Sequence, residues 1–242
     1  MHDIRYDELH DEFFVMNGFA QAILVFAGGA NGDQPPVRII QGPHTQLGGS
    51  SRLDIDIAHN EIFVPDGDSI LAFPRDASGD VAPLRVIRGE HTLLRAAGSV
   101  VVDPVNNMLA VGLNKRNRPG QEEDGAILIF NRTDNGDVKP RGVIRGPKSG
   151  IVRINQMAVY PPKKLVIATQ PGIAEDMEPE GAFVGVWSIY DNGDIPPRWK
   201  IGGPKSTLQI PRGVVLNPKN KELIVADMRL NAVLTFYFPE IF

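Results

Sequence analysis

Apolar and polar positions along this chain come in short bursts. Runs rich in Val, Ile, Leu and Phe, each bounded by Gly, Pro, Asn or Asp, recur from the first residues to Phe238. They are too short for helices, and their composition and boundaries are those of strands. No segment carries a convincing helical period. In the second stretch of the chain the runs fall at about 52–57, 61–65, 69–74 and 84–88, and we name them a, b, c and d. The a–b link is a tight turn such as DPVNN (103–107) or NPKNK (217–221), in which Pro fixes φ and Asn tolerates left-handed geometry. The c–d link carries NGD or SGD followed by a proline, which is a further turn signal.

One phrase organises the whole pattern. NGDQPPVRIIQGPHT (31–45), SGDVAPLRVIRGEHT (78–92), NGDVKPRGVIRGPKS (135–149) and NGDIPPRWKIGGPKS (192–206) are copies of it. Each copy reads as a turn, an outer strand d and an exit loop. A self-similar period of this length marks units that cannot bury their apolar face alone and must stack on neighbours. We divide the chain into five units, about 1–42, 43–89, 90–146, 147–203 and 204–242. Units of this size are too short to be independent β-sandwiches. The expected fold is all-β: a β-propeller of about five blades, four antiparallel strands per blade, within a single domain. The last blade is expected to be incomplete, because AVLTFYF (232–238) completes strand c and only PEIF follows. Its bare edge would present unpaired backbone groups, so self-association through the C-terminal edge strand, or a donated strand, is expected. The core should hold Phe14, Val64, Leu109, Ile167 and Ile224 from the b runs, with Ile23, Ile70, Ile127 and Val233 from the c runs.

The runs GVVLNPKNKELIVADMRLNAVLTF (213–236) and SVVVDPVNNMLAV (99–111) resemble NHL and YVTN-type propeller repeats, with Asp or Asn ending strand a and an apolar strand b running to VAD. The resemblance covers essentially the whole chain. It implies a blade and not a chemistry, since such propellers include partner-binding scaffolds as well as hydrolases. More distantly the chain is similar to lactonase-like propellers, whose likeness implies a catalytic calcium held by carboxylates and amides on the inner strands.

Composition narrows the partners. With 242 residues, 42% of them hydrophobic, the chain can bury a real core. A formal net charge of −4 gives no overall basic footprint, so neither nucleic acid nor an anionic membrane is an expected partner. The absence of cysteine excludes disulfides, thiolate metal sites and cysteine nucleophiles. No apolar run is long enough for a spanning helix, and Met1-HDIRYDELHDEFF lacks the features of a signal peptide. The expectation is a cytoplasmic chain, or an extracellular or periplasmic one if it is a piece of an exported protein.

Candidate chemistry lies in the loops joining b to c and d to a, which should share one end of the blades and where the copies disagree most. Two b–c loops are long, NKRNRPGQEED (114–124) and QPGIAEDMEPE (170–180). The exit loops offer His44, His91, Lys148 and Lys205, one per unit, which could rim a channel and meet an anion or could be ordinary solvated residues. Leading into strand a stand Ser51, Gly98, Asn155 and Arg212, of which Asn155 and Arg212 join the candidate ligand-binding set. Strand b ends in Asn17, Asp66, Thr169 and Asp227, with Leu113 in the third unit; Asn17, Asp66 and Asp227 are the candidate metal donors for Ca²⁺. The carboxylates of the phrase, Asp33, Asp80, Asp137 and Asp194, should cap their own turns. No nucleophile elbow, zinc helix or P-loop is present, and no catalytic residue can be assigned.

Two functions follow. The first is a non-catalytic binding or scaffolding propeller that needs no cofactor and presents its loop-rich end to a protein, peptide or glycan. The alternative is a metal-dependent hydrolase of lactonase or esterase type with a site at the central channel, using Asp66, Asp227 and the histidines. The inner strands are short of ligands, which favours the first.

Overall fold

The computed structural model describes residues 3–114, 116–118, 121–123, 125–172 and 181–242. It is all-β, with five antiparallel blades of four, four, four, four and three strands. Sheet 1 comprises β1 (Ile4–Asp7), β2 (Glu12–Asn17), β3 (Ala22–Ala27) and β4 (Arg38–Gln41), and sheet 2 comprises β5 (Asp54–Asp56), β6 (Glu61–Asp66), β7 (Ser69–Pro74) and β8 (Arg85–Arg88). Sheet 3 is formed from β9 (Ala97–Asp103), β10 (Met108–Leu113), β13 (Ala126–Asn131) and β14 (Gly142–Arg145), with a two-stranded ribbon, β11 (Arg116–Arg118) and β12 (Gln121–Glu123), inserted between its second and third strands. Sheet 4 holds β15 (Met157–Tyr160), β16 (Leu165–Pro171), β17 (Ala182–Ser188) and β18 (Trp199–Gly202). Sheet 5 holds β19 (Pro211–Asn217), β20 (Glu222–Asp227) and β21 (Ala232–Tyr237). As expected, the last sheet lacks its outer strand. The only helical elements among the described residues are single 3-10 turns.

The chain divides into two compact units, residues 1–107 with 132–139, and residues 108–131 with 140–242. In the first unit Phe14, Met16, Ile23 and Val25 of sheet 1 pack with Ile62, Val64, Leu71 and Phe73 of sheet 2. Antiparallel pairing sets this face: Phe14 lies opposite Val25, and Val64 opposite Leu71, so period-2 alternation delivers a continuous apolar surface. In the second unit Ile167, Val184 and Val186 of sheet 4 meet Val214, Leu223 and Val225 of sheet 5, and Ile241 closes the edge.

Polar groups fasten what the apolar faces bring together. The Asp54 carboxylate on β5 accepts the Val102 N–H of β9 (2.8 Å), and Gln156 plays the same part for Val214 of β19 (2.8 Å). Arg75, just past β7, donates to Glu12 of β2 (2.7 Å) and lies 3.4 Å from the buried Asp7. One sheet further on, Arg132 repeats the arrangement with Glu61 and Asp56. Removing one partner of such a buried pair strands the other charge, so these arginines fix which sheet meets which. Asp7 and Asp56 also receive the ring Nδ1 of His10 and His59 (2.7 and 2.8 Å), which closes the a–b turns.

Seven of the nine expected core residues are buried: Phe14, Val64, Leu109, Ile167, Ile23, Ile70 and Ile127. Ile224 is half-buried and Val233 is 68% exposed, contrary to expectation. In β20 and β21 it is Leu223, Val225, Leu234 and Phe236 that face sheet 4, so alternation turns Ile224 and Val233 to the far side. Val64→Ala or Ile167→Ala should therefore lower stability by about 2–5 kcal/mol. Val233→Ser should stay within about 0.5 kcal/mol of the parent, both measured by chemical denaturation.

Candidate binding site

Three of the four phrase carboxylates, Asp80, Asp137 and Asp194, do not cap their own turns but reach the exit loop of the preceding sheet. Asp80 accepts the His44 N–H (2.8 Å) and its ring Nδ1–H (2.6 Å), and Asp137 does the same for His91 (both 2.7 Å). Asp194 accepts the Lys148 N–H at 2.8 Å. The exit glycines Gly42, Gly89 and Gly146 sit at positive φ directly under these carboxylates; an added Cβ on Gly89 would lie 2.3 Å from Asp137 Cγ. The reason is the length of the c–d segment, which carries its Gly-Asp pair across to the neighbouring outer strand: Ile40 bridges Gly79, Ile87 bridges Gly136, and Ile144 bridges Gly193. His44, His91 and Lys148 are thus parts of sheet-to-sheet clamps, while Lys205 is exposed and has no such carboxylate among the described residues.

The ends of strands b hold the incoming loops. Asp227, 2% exposed, accepts the N–H groups of Gln209 (2.8 Å) and Ile210 (3.0 Å) and those of Arg229 and Leu230. Asp66 accepts the Gly48 N–H at 2.5 Å. In sheet 4 the part falls to Gln170, whose Oε1 accepts the Val152 and Arg153 N–H groups (3.2 and 2.9 Å). Thr169, the residue expected there, instead donates its hydroxyl to Gln156 O (3.0 Å) and Arg212 O (3.3 Å). Asn17 accepts the Ala20 N–H (3.2 Å) in its own turn. Among the described residues no group of three or more His, Cys, Asp or Glu is arranged to hold a metal ion.

Two features of this architecture are open to a ligand. In the first unit, loop 48–52, Asp66–Gly67 and Ala97–Gly98 line a polar cleft of about 280 Å³, which brings Ser51, Asp66 and Gly98 together. In the second unit the anchored loops present Arg153 and Arg212, both half-buried, each with its Nε buried and without a hydrogen-bond partner. Burial and the neighbouring Arg212 charge hold the Arg153 guanidinium below its ordinary pKa. Asn155 donates its N–H to Thr169 O at 3.2 Å. The sequence reading missed Arg153, although an arginine stands just before or at the start of each strand a from the second unit on, at Arg52, Arg95, Arg153 and Arg212. Of the two long b–c loops, 114–124 contains the β11–β12 ribbon, and residues 173–180 of the other lie outside the described residues.

No protein-family model matches the chain, and no curated protein matches its sequence. Solved structures do match in fold. Kuenenia stuttgartiensis hydrazine synthase aligns with a TM-score of 0.65 at 12% identity over 92% of this chain, which spans 54% of that one. A nidogen/laminin complex gives 0.61 at 15% identity, covering 98% of this chain and 80% of the other. The β-propeller domain of Myceliophteria thermophila Cps50 (Swd1) gives 0.63 at 10% identity, covering 98% and 65%. At these identities the likeness establishes the fold alone. This chain is a β-propeller of five blades.

Hydrogen bonding from the His91 ring, against some desolvation, holds the Asp137 carboxyl below its ordinary value of 3.8. A carboxyl whose folded pKa is depressed contributes stability above the unfolded pKa and loses it as pH falls through the folded value. Asp137→Asn should therefore reduce stability at neutral pH and flatten its decline below about pH 4. Denaturant melts of parent and variant from pH 2 to 7 would check this, and parallel curves would contradict it.

Proposed function

We propose that this chain is a non-catalytic binding or scaffolding propeller of the NHL/YVTN kind that holds an acidic segment of a protein or peptide partner through Arg153 and Arg212. The observation that carries this reading is the arginine pair. Two half-buried arginines lie close enough for the charge of Arg212 to act on Arg153, and the Nε donor of each is buried without an acceptor. A buried polar donor left unpaired costs free energy, and a carboxylate offers the bidentate acceptor geometry that a guanidinium matches. The resemblance to repeats used as partner-binding scaffolds supports the reading, as does a fold neighbour solved as a nidogen/laminin complex. Asp66 and Asp227 serve in it as loop anchors, because their oxygens are engaged by backbone N–H groups.

A fluorescein-labelled Glu-rich peptide should bind the parent protein with saturable anisotropy, and Arg153→Gln/Arg212→Gln should weaken binding at least about tenfold, the scale of losing one charge-assisted contact. Thermal stability of that variant should change little. Equal binding by parent and variant would overturn the reading.

Self-association through the C-terminal edge belongs to the same proposal. Among the described residues the strand β21 has a partner on one side only, and its Val233 and Tyr237 are 68% and 72% exposed. An uncovered apolar edge strand is a template for pairing. Light scattering after size exclusion should show a mass that rises with concentration, and Val233→Lys/Tyr237→Lys should keep the protein monomeric; a parent that stays monomeric would remove this part of the proposal.

A further inference from the structure

The contact between one outer strand and the next sheet is made three times within this chain, and each time from the same parts. The turn glycine exchanges two backbone hydrogen bonds with the strand: Gly79 donates to Ile39 O (2.6 Å) and accepts from Gln41 (3.1 Å), Gly136 does so with Val86 and Arg88, and Gly193 with Val143 and Arg145. The Asn before the glycine adds a bond in two copies, where Asn135 Oδ1 accepts the Val86 N–H and Asn192 Oδ1 the Val143 N–H, each at 2.9 Å. The Asp after it takes the exit-loop N–H, as described above. The central Ile of the strand is then buried: Ile40 at 0%, Ile87 at 3% and Ile144 at 0%.

Sheet 1 carries the receiving half of this contact with no strand in it. Its turn Asn31–Gly32–Asp33 is the first copy of the motif, and Gly32 has φ 63, in the same left-handed region as Gly79, Gly136 and Gly193 (80, 76 and 92). All three residues are exposed, and among the described residues neither the Gly32 backbone nor the Asp33 carboxylate has a partner. Beside the turn, Ile4, Phe13, Val15 and Phe26 line a groove of about 230 Å³. By register, Phe13, Val15 and Phe26 occupy the places that Ile62, Val64 and Phe73 occupy on sheet 2, where that face receives sheet 1. Sheet 1 therefore has both the apolar face and the polar clamp of a receiving sheet.

We infer that the turn Asn31–Asp33 and the groove beside it form a docking site for an extended strand of another polypeptide that reads apolar-Ile-x-Gly-Pro followed by His or Lys. The strand's backbone would pair with Gly32, its Ile would enter the groove between Phe13 and Phe26, and Asp33 would take the amide and the positive charge of the His or Lys. Such strand addition draws affinity from main-chain bonds and specificity from alternate side chains. Charge and backbone geometry together select this occupant, since a strand without the glycine would drive a Cβ into Asp33 as it would at Gly42, Gly89 and Gly146. The inference uses none of the residues of the arginine pair and stands or falls separately from it.

The test is titration of the ¹⁵N-labelled full chain with the synthetic peptide VRIIQGPHTQL, which copies residues 37–47. The Gly32 and Asp33 amide signals should shift saturably. Binding should fall at least tenfold for Asp33→Asn and for a peptide in which the second Ile is replaced by Asp, while Asp33→Asn leaves the melting temperature unchanged because the residue is exposed. No saturable shift, or equal binding by Asp33→Asn, would overturn the inference. Sedimentation of the unliganded chain separates the sources: a monomer–oligomer equilibrium abolished by Asp33→Asn would overturn the assignment to a separate polypeptide and give the site to a second copy.

Discussion

The fold depends on one recurrent contact, in which the Gly-Asp turns of sheets 2, 3 and 4 each grip the outer strand and exit loop of the sheet before. Apolar stacking of sheets is non-directional and would tolerate sliding. The grip is directional. Two backbone bonds at the glycine fix the position of the strand, and the carboxylate on the His or Lys amide fixes where the chain turns. The ion pairs of Arg75 and Arg132 add a second fixed point on the first and second strands, with each arginine crossing to the Glu and Asp of the preceding sheet.

With neighbouring sheets fixed in this way, the loops can vary in sequence while staying anchored in space. Asp66, Gln170 and Asp227 each spend their oxygens on loop N–H groups, so that residues two or three positions away are presented at defined places. Arg153 and Arg212 are presented in this way. Their proximity is electrostatically unfavourable, and the sheet framework bears that cost. An anionic ligand would relieve it. Asp66 and Asp227, read from the sequence as candidate calcium donors, accept loop N–H groups.

Much of the fold could be read from the chain. The fifteen-residue phrase, its period and the bounded apolar runs determined the blade count, the three-stranded last blade and most of the core, because strand alternation and turn chemistry are local and repeat visibly. Tertiary structure decided the rest. Whether an Asp caps its own turn or the neighbouring exit loop depends on how far the c–d segment travels across the sheet boundary, and spacing along the chain does not contain that distance. Val233 and Val64 look alike in sequence, yet one is exposed and the other fully buried, since only the presence of a sheet on a given face makes alternation mean core. The arginine pair was written in the chain as an Arg just before or at the start of each strand a from the second unit on. That two of them lie together without acceptors for their Nε groups is a property of the stacked sheets alone, because only stacking brings loops of different blades within reach of one another.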